Sequence, residues 1–245
     1  MNKKVFFTGE FGNICGVLHQ VENSNEIVII VHGFSSNKDN LSGKVIEEEL
    51  SQLNISTLRI DLDNQGESDL KFMDASVSNY IKQVNSTIEY CRELGFDNIS
   101  LVGGSFSGVV CLAIASQRND IFRLFLRCPG IGTLWYKYLK DKTSQNYIDV
   151  KNGKNIETHG EIFDISILDD MEQYYPLSNL ARKVKIPVGI VHGDCDETIP
   201  YQDTVEFSNA IENSILTIIQ GAGHNLTVRG DNTEFRKSVR EFFKK

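Results

Sequence analysis

No stretch of this 245-residue chain approaches the roughly 18 consecutive apolar residues of a membrane-spanning helix, which excludes a helical span. The opening MNKKVFFTGEFGN has two lysines but only a short apolar run, so it lacks the apolar core of a secretory signal, and a cytoplasmic protein is expected. Runs of Lys and Arg are also missing. With 25 basic against 33 acidic residues the net charge is −8, and nothing in the pattern offers an electrostatic footprint to a phosphate backbone. Nucleic acid is therefore not an expected partner. The five cysteines, Cys15, Cys91, Cys111, Cys128 and Cys195, are odd in number and scattered singly. None has C-x-x-C spacing or a His cluster beside it, so free thiols are expected and no metal or organic cofactor is implied.

What is present is enough apolar sequence, 40% of the chain, to bury the core of one large domain spanning residues 1–245. Short β-branched runs alternate with longer segments of helical period, the sign of a mainly parallel sheet with helices on both faces. VFFTG and CGVLHQV suggest an opening antiparallel hairpin, and EIVIIVHG, STLRIDL, NISLVGG, FRLFLRC, PVGIVHG and ILTIIQG suggest six further strands, eight in all. LSGKVIEEELSQL, VSNYIKQVNSTIEYCREL, SGVVCLAIASQ, YQDTVEFSNAI and the terminal NTEFRKSVREFFKK predict helices. The alternation breaks over about 131–180. There Asn152-Gly153, inside IDVKNGKNIET, is the signal of a two-residue hairpin turn. Aromatic residues Trp135, Tyr136, Tyr138, Tyr174 and Tyr175 flank it, and the segment is expected to form a small lid inserted over the sheet.

Ligands of an open parallel sheet bind beyond the carboxyl ends of its strands, so the loops there carry the chemistry. LVGGSFSGVV ends one strand and starts a helix, and it departs from the nucleophile pattern G-x-S-x-G by a single glycine. Such a turn tolerates only very small residues two before and two after the central one. Ser105 has Gly103 and Ser107 in those places, whereas Ser107 has the β-branched Val109, so Ser105 is the expected nucleophile and Ser107 is available to cap the helix. A serine hydroxyl needs a base that is itself oriented by a carboxylate. Downstream, HGDCDETIPY offers Asp194, Asp196 and Glu197, and GAGHNL offers His224, each after a strand. His192 precedes its loop by a single residue and is assigned to packing or loop hydrogen bonding. Two backbone N–H groups are needed for the developing oxyanion, expected from Phe106 after the nucleophile and from Phe34 in HGFSSNKDN, where Gly33 allows close approach to substrate.

The ordered set HGF, DLDNQGESD, GGSFSG, HGDCDETIP and GAGHNL resembles the α/β-hydrolase superfamily over nearly the whole chain. Within it, the inserted region is similar to that of feruloyl or cinnamoyl esterases and serine-aminopeptidase-like hydrolases. The resemblance implies a catalytic set of Ser105, Asp196 and His224, with an oxyanion hole at Phe34 and Phe106. A substrate site is expected near Gly33 and the aromatic residues Trp135 and Tyr136 of the inserted segment. The activity implied is hydrolysis of a small-molecule carboxylic ester. Thioester cleavage or acyl transfer is the first alternative, and a peptidase or a catalytically idle binding protein follows.

Overall fold

In the computed structural model, which describes residues 2–62, 66–70, 76–130, 132, 134–158, 161–163 and 165–244, the Val- and Ile-rich runs become strands. In chain order they are β1 (Asn2–Thr8), β2 (Gly12–His19), β3 (Glu26–Val31), β4 (Ser56–Ile60), β5 (Asp69–Leu70), β6 (Asn98–Gly104) and β7 (Ile121–Arg127). A separate antiparallel pair, β8 (Ile156–Thr158) and β9 (Glu161–Phe163), precedes β10 (Val188–Gly193) and β11 (Ser214–Ile219). The main sheet runs β1-β2-β4-β3-β6-β7-β10-β11, with the two-residue β5 beside β2. The β1–β2 hairpin and the β2–β4 pairing are antiparallel, and every pairing from β4 to β11 is parallel.

The helices are α1 (Leu41–Gln52), α2 (Val77–Glu93), α3 (Phe106–Gln117), α4 (Gln145–Lys151), α5 (Ser166–Glu172), α6 (Leu177–Ala181), α7 (Tyr201–Ser208) and α8 (Thr233–Phe243), with one π-helical turn over Trp135–Leu139. Side chains of Asn40 and Ser76 cap α1 and α2 by accepting from the N–H of Gly43 and Asn79, so the polar residue before each apolar pattern sets where the helix starts. Helix α3 is buried continuously from Phe106 to Ala115, because it lies between the sheet and α2 and α6. A helix apolar all round belongs in such a place.

One core, around Ile27, Ile29, Leu58, Ile99 and Leu101, lies on the face covered by α2 and α3. The other, around Val28, Ile30, Val102 and Phe125, lies under α1 and α8. Successive residues of β3 thus serve opposite cores, as the two-residue period of a strand requires. Each fully buried Val, Leu or Ile contributes about 1.5–3 kcal/mol relative to exposure. Glu49, almost fully buried, locks α1 to α8 through Arg236 at 2.9 Å and Arg240 at 2.6 Å. Among the described residues no helix is long and apolar enough to cross a membrane.

The segment between β7 and β10 corrects one expectation. Asn152-Gly153 does not join two strands; it ends α4. Gly153 has φ +94°, its N–H bonds to Val150 O at 3.0 Å, and the Lys154 N–H bonds to Asp149 O at 3.1 Å. These two bonds form the Schellman cap that a glycine beyond a helix end permits. The same Asn-Gly chemistry suits a hairpin and a helix stop, since both require positive φ. The hairpin lies a few residues later, where Ile156 pairs with Phe163.

Candidate active site

Ser105 sits between β6 and α3 with φ 54° and ψ −126°, a backbone conformation strained for any residue but glycine. The surroundings enforce it. The Ser105 N–H bonds to Arg127 O at 2.8 Å, and the Ser105 carbonyl accepts from Gly108 and Gly130 at 2.9 and 3.2 Å. A Cβ at Gly103 would lie 2.4 Å from the Ser107 carbonyl oxygen, and one at Gly108 would lie 2.6 Å from Pro129 Cβ. The glycines around the serine are thus set by contact distances.

Ser107, the residue standing where the pattern has glycine, is fully buried. Its hydroxyl accepts from the Gly104 N–H at 2.9 Å and is placed to donate to Val31 O at 2.8 Å or Gly104 O at 2.9 Å. It therefore ties the end of β6 to the end of β3. It neither caps α3 nor reaches solvent.

His224 follows β11, and its Nδ1 lies 2.7 Å from Asp196 Oδ2. The Asp196 side chain is fully buried, and its Oδ1 accepts from the N–H groups of Thr198 and Ile199 at 2.8 and 2.9 Å. Burial works against its charge. Hydrogen bonds from His192, His224 and the Ile199 N–H outweigh that and hold the Asp196 carboxyl well below the usual carboxylate range. The other acids of the loop are placed differently: Asp194 accepts from the Gly221 N–H at 2.6 Å, and Glu197 is exposed.

His192 does more than pack. Its Nε2 lies 3.0 Å from Asp196 Oδ2 and 2.9 Å from Ile199 O, and its Nδ1 lies 2.8 Å from Thr204 Oγ1. With two acceptors at Nε2, that nitrogen carries the proton, and in the neutral ring Nδ1 accepts from the Thr204 hydroxyl. Of the two roles expected from the sequence, packing or loop hydrogen bonding, the second holds. The identity of its partner, the same carboxylate that faces His224, required the folded loop.

Gly33 and Phe34 follow β3 on the other side of Ser105. A Cβ at Gly33 would meet Gly104 O at 3.1 Å and Ser105 Cβ at 3.3 Å, so this loop presses directly on the serine turn. His32 steadies it, with Nδ1 donating to Gly33 O at 2.8 Å and Nε2 accepting from the Leu62 N–H at 2.9 Å. Burial lowers the His32 pKa, keeping the neutral tautomer that this pair of bonds needs. Further along, buried Asp61 accepts from the Lys38 N–H and Nζ, both at 2.7 Å, and from the Glu67 N–H at 2.8 Å. Gly66, φ +123°, lies so close that a Cβ would be 2.3 Å from Asp61 Oδ2. The DLDNQGES segment thus anchors the loop carrying Phe34; its Asn64 and Gln65 lie outside the described residues.

These parts surround a cavity of about 240 Å³ lined by Gly33, Phe34, Ser105, Phe106, Arg127 and His224, among others. The Phe106 N–H belongs to the first turn of α3, where no helical carbonyl is available to it. The Phe34 ring packs on Phe106 with centroids 5.7 Å apart and on Phe163 of β9 at 5.6 Å. Trp135 is elsewhere: it stacks on Tyr175 at 4.2 Å and lines a neighbouring cavity of about 290 Å³, which meets the first at Gly132. The side chain of Tyr136 lies outside the described residues.

Among the described residues, two groups of possible metal ligands have other occupations. In Cys128, Asp196 and His224, burial pushes the Cys128 thiol up to about 12, so it keeps its proton. In Cys15, Asp61 and Glu67, both carboxylates hold Lys38 at 2.7 Å.

Known proteins share this fold. Over 98% of both chains the structure matches Est1E from Butyrivibrio proteoclasticus with bound ferulic acid, at a TM-score of 0.81 and 22% identity. It matches mouse alpha/beta hydrolase domain-containing protein 10 at a TM-score of 0.84 and 18% identity, over 99% of this chain and 98% of that one. In sequence it is 25% identical to the mitochondrial palmitoyl-protein thioesterase ABHD10 of Mus musculus, across 78% of this chain and 66% of that protein. The model of the Prolyl oligopeptidase family matches residues 73–245, well over half of the chain. The chain is therefore a hydrolase of the α/β-hydrolase fold and belongs to the prolyl oligopeptidase family.

Proposed function

We propose that this hydrolase cleaves carboxylic esters of small to medium acyl groups through a serine acyl-enzyme. The observation that carries the reading is the 2.7 Å contact of His224 Nδ1 with buried Asp196, in a cavity wall shared by His224 and the strained Ser105. Asp196 accepts a hydrogen bond from His224 Nδ1–H, which holds the ring in the tautomer whose Nε2 is unprotonated and able to act as a base. Ser105 Oγ attacks the carbonyl carbon while Nε2 takes its proton, and the oxyanion forms against the N–H groups of Phe34 and Phe106. The carbon–oxygen bond to the leaving group then breaks, and the imidazolium returns the proton to the departing alcohol. Water, activated by the same nitrogen, releases the acid and regenerates Ser105.

The cavity that Ser105 and His224 line, about 240 Å³, is smaller than the roughly 300 Å³ at which ligand pockets begin, so it holds a short acyl group by itself. We read the segment over about 131–180 as a lid, because Phe163 of its hairpin packs on Phe34 beside the oxyanion position. A thioester is the second reading. The name of the mouse relative favours it, and the attack and the oxyanion are the same with a thiol leaving.

Hydrolysis of p-nitrophenyl acetate and butyrate by purified protein tests the proposal. Ser105→Ala is expected to lower turnover by about a million-fold, as loss of a triad serine does elsewhere. A fluorophosphonate probe is expected to label Ser105, located by mass spectrometry of the digest. Substantial turnover by the Ser105→Ala protein overturns the assignment.

A further inference from the structure

Arg127, the last residue of β7, is a buried cation on the wall of the reaction cavity. It is 9% exposed, and its guanidinium lies between two residues that line the cavity, Gly104 and His224. Its Nη1 donates to the His224 carbonyl oxygen, and its Nε would be 2.9 Å from a Cβ placed on Gly104. Among the described residues it forms no ion pair with a carboxylate. Several other guanidinium groups are paired with carboxylates: Arg59, also buried, has Glu47 at 2.8 Å, and Arg236 and Arg240 share Glu49 between α1 and α8.

A second feature of the same wall has the same sign. The N-terminus of the 12-residue α1 faces the cavity, with Ser42 and Gly43 in its lining. An adjoining cavity of about 450 Å³ is lined by Leu41, Ser42, Arg127, Asn225, Thr227 and Asn232, among others. In a chain of net charge −8, neither lining contains an Asp or a Glu among the described residues. Asp196, behind His224, has its oxygens engaged by His224, His192 and two backbone N–H groups. Helix N-termini and guanidinium forks both select anions, and a cavity lined by both without a competing carboxylate is built for one.

We propose that the substrate carries an anionic group, a carboxylate or a phosphate, that is bound between Arg127 and the N-terminus of α1. The inference rests on the hydrolase reading and narrows its substrate class. The anion enters either on the acyl side, as in a half-ester of a dicarboxylic acid, or on the leaving group, as in a phosphate-bearing thiol.

Two matched pairs separate these sources. One is p-nitrophenyl hemiglutarate against p-nitrophenyl hexanoate, and the other is S-butyryl-4′-phosphopantetheine against S-butyryl-pantetheine. The anionic member of one pair is expected to show a kcat/KM at least about tenfold higher, the size of a charge-assisted hydrogen bond. The pair that shows it identifies the side that carries the charge. Arg127→Gln is expected to move that ratio towards one, mainly through KM. Ser42→Asp is expected to do the same by placing a carboxylate in the first turn of α1, where an acidic residue favours the helix, so this variant reads the charge even if Arg127→Gln fails to fold. Calorimetry of the Ser105→Ala protein with the four compounds is expected to show the same preference in binding. Turnover of neither pair by the native enzyme refutes the hydrolase reading, and the calorimetry then decides the anion site by itself. Equal values within both pairs overturn the inference, as does an Arg127→Gln loss shared equally by both members while Ser42→Asp leaves the ratio intact.

Discussion

Replacing Ser107 by alanine separates a structural hydroxyl from the one proposed to be catalytic two residues away. The Ser107 side chain is fully buried, and its oxygen accepts from the Gly104 N–H at 2.9 Å while its proton is directed at Val31 O or Gly104 O. Alanine leaves that N–H without its hydroxyl acceptor in a place water does not reach, a loss of about 1–3 kcal/mol. The better helix propensity of alanine returns about 0.5 kcal/mol in the first turn of α3. The net destabilisation is about 0.5–2.5 kcal/mol. In a domain of this size each kcal/mol moves the melting temperature by about 2–4 °C, so a drop of about 1–10 °C is expected in a thermal melt followed by circular dichroism. Hydrolysis of p-nitrophenyl butyrate at 25 °C should stay within a few-fold of the native rate, since Ser107 is fully buried and does not line the cavity. An unchanged melting temperature refutes the role given to the hydroxyl. Native stability with activity abolished shows instead that Ser107 acts on the substrate.

Other outcomes follow from the same geometry. The carboxyl of Asp196 is held below its ordinary value in the fold, so its charged form contributes stability that is complete above the unfolded pKa of about 4 and is lost as pH falls through the depressed native one. Urea unfolding is therefore expected to show a gap between native protein and Asp196→Asn that is widest near neutrality and narrows below about pH 4; a gap that widens on acidification contradicts the assignment. Of the five thiols, four are buried and Cys195 is exposed. Ellman's reagent at pH 8 should titrate one thiol in the native protein and five in guanidinium chloride, and rapid native reaction of Cys128 contradicts its burial. Gly66→Ala forces a Cβ to 2.3 Å from Asp61 Oδ2 at a φ of +123°. The Asp61–Lys38 tie should loosen, lowering both the melting temperature and kcat, because the loop bearing Phe34 loses its anchor; a variant with native stability and rate refutes that link.

Much of the scaffold could be read locally. Runs such as EIVIIV and SLVGG are apolar on both faces, so they belong in the middle of a parallel sheet whatever their neighbours, and β3 and β6 lie side by side there. Local chemistry also set several helix starts, as at Asn40 and Ser76. The Asn152-Gly153 pair shows where local reading stops. Positive φ at Gly153 is demanded equally by a hairpin and by a helix cap, and the choice fell to Val150, whose burial holds α4 in place as a helix. Trp135 shows a second limit: an aromatic cluster announces a packed surface without saying which cavity it lines.

The sequence alone determined the order of the groups proposed for catalysis: a serine in a turn of small residues, an acidic loop after a later strand, and a histidine after the next. That information is local, because steric crowding at Gly103 and Gly108 acts over only a few residues. Which acid meets His224, that His192 shares it, and that Arg127 lacks a carboxylate among the described residues were decided only by the tertiary structure. The physical reason is that hydrogen bonds and ion pairs depend on distances between residues far apart in the chain, 28 positions for Asp196 and His224 and 97 for Arg127 and His224. Those distances are fixed by the register of β7, β10 and β11, which no single segment encodes.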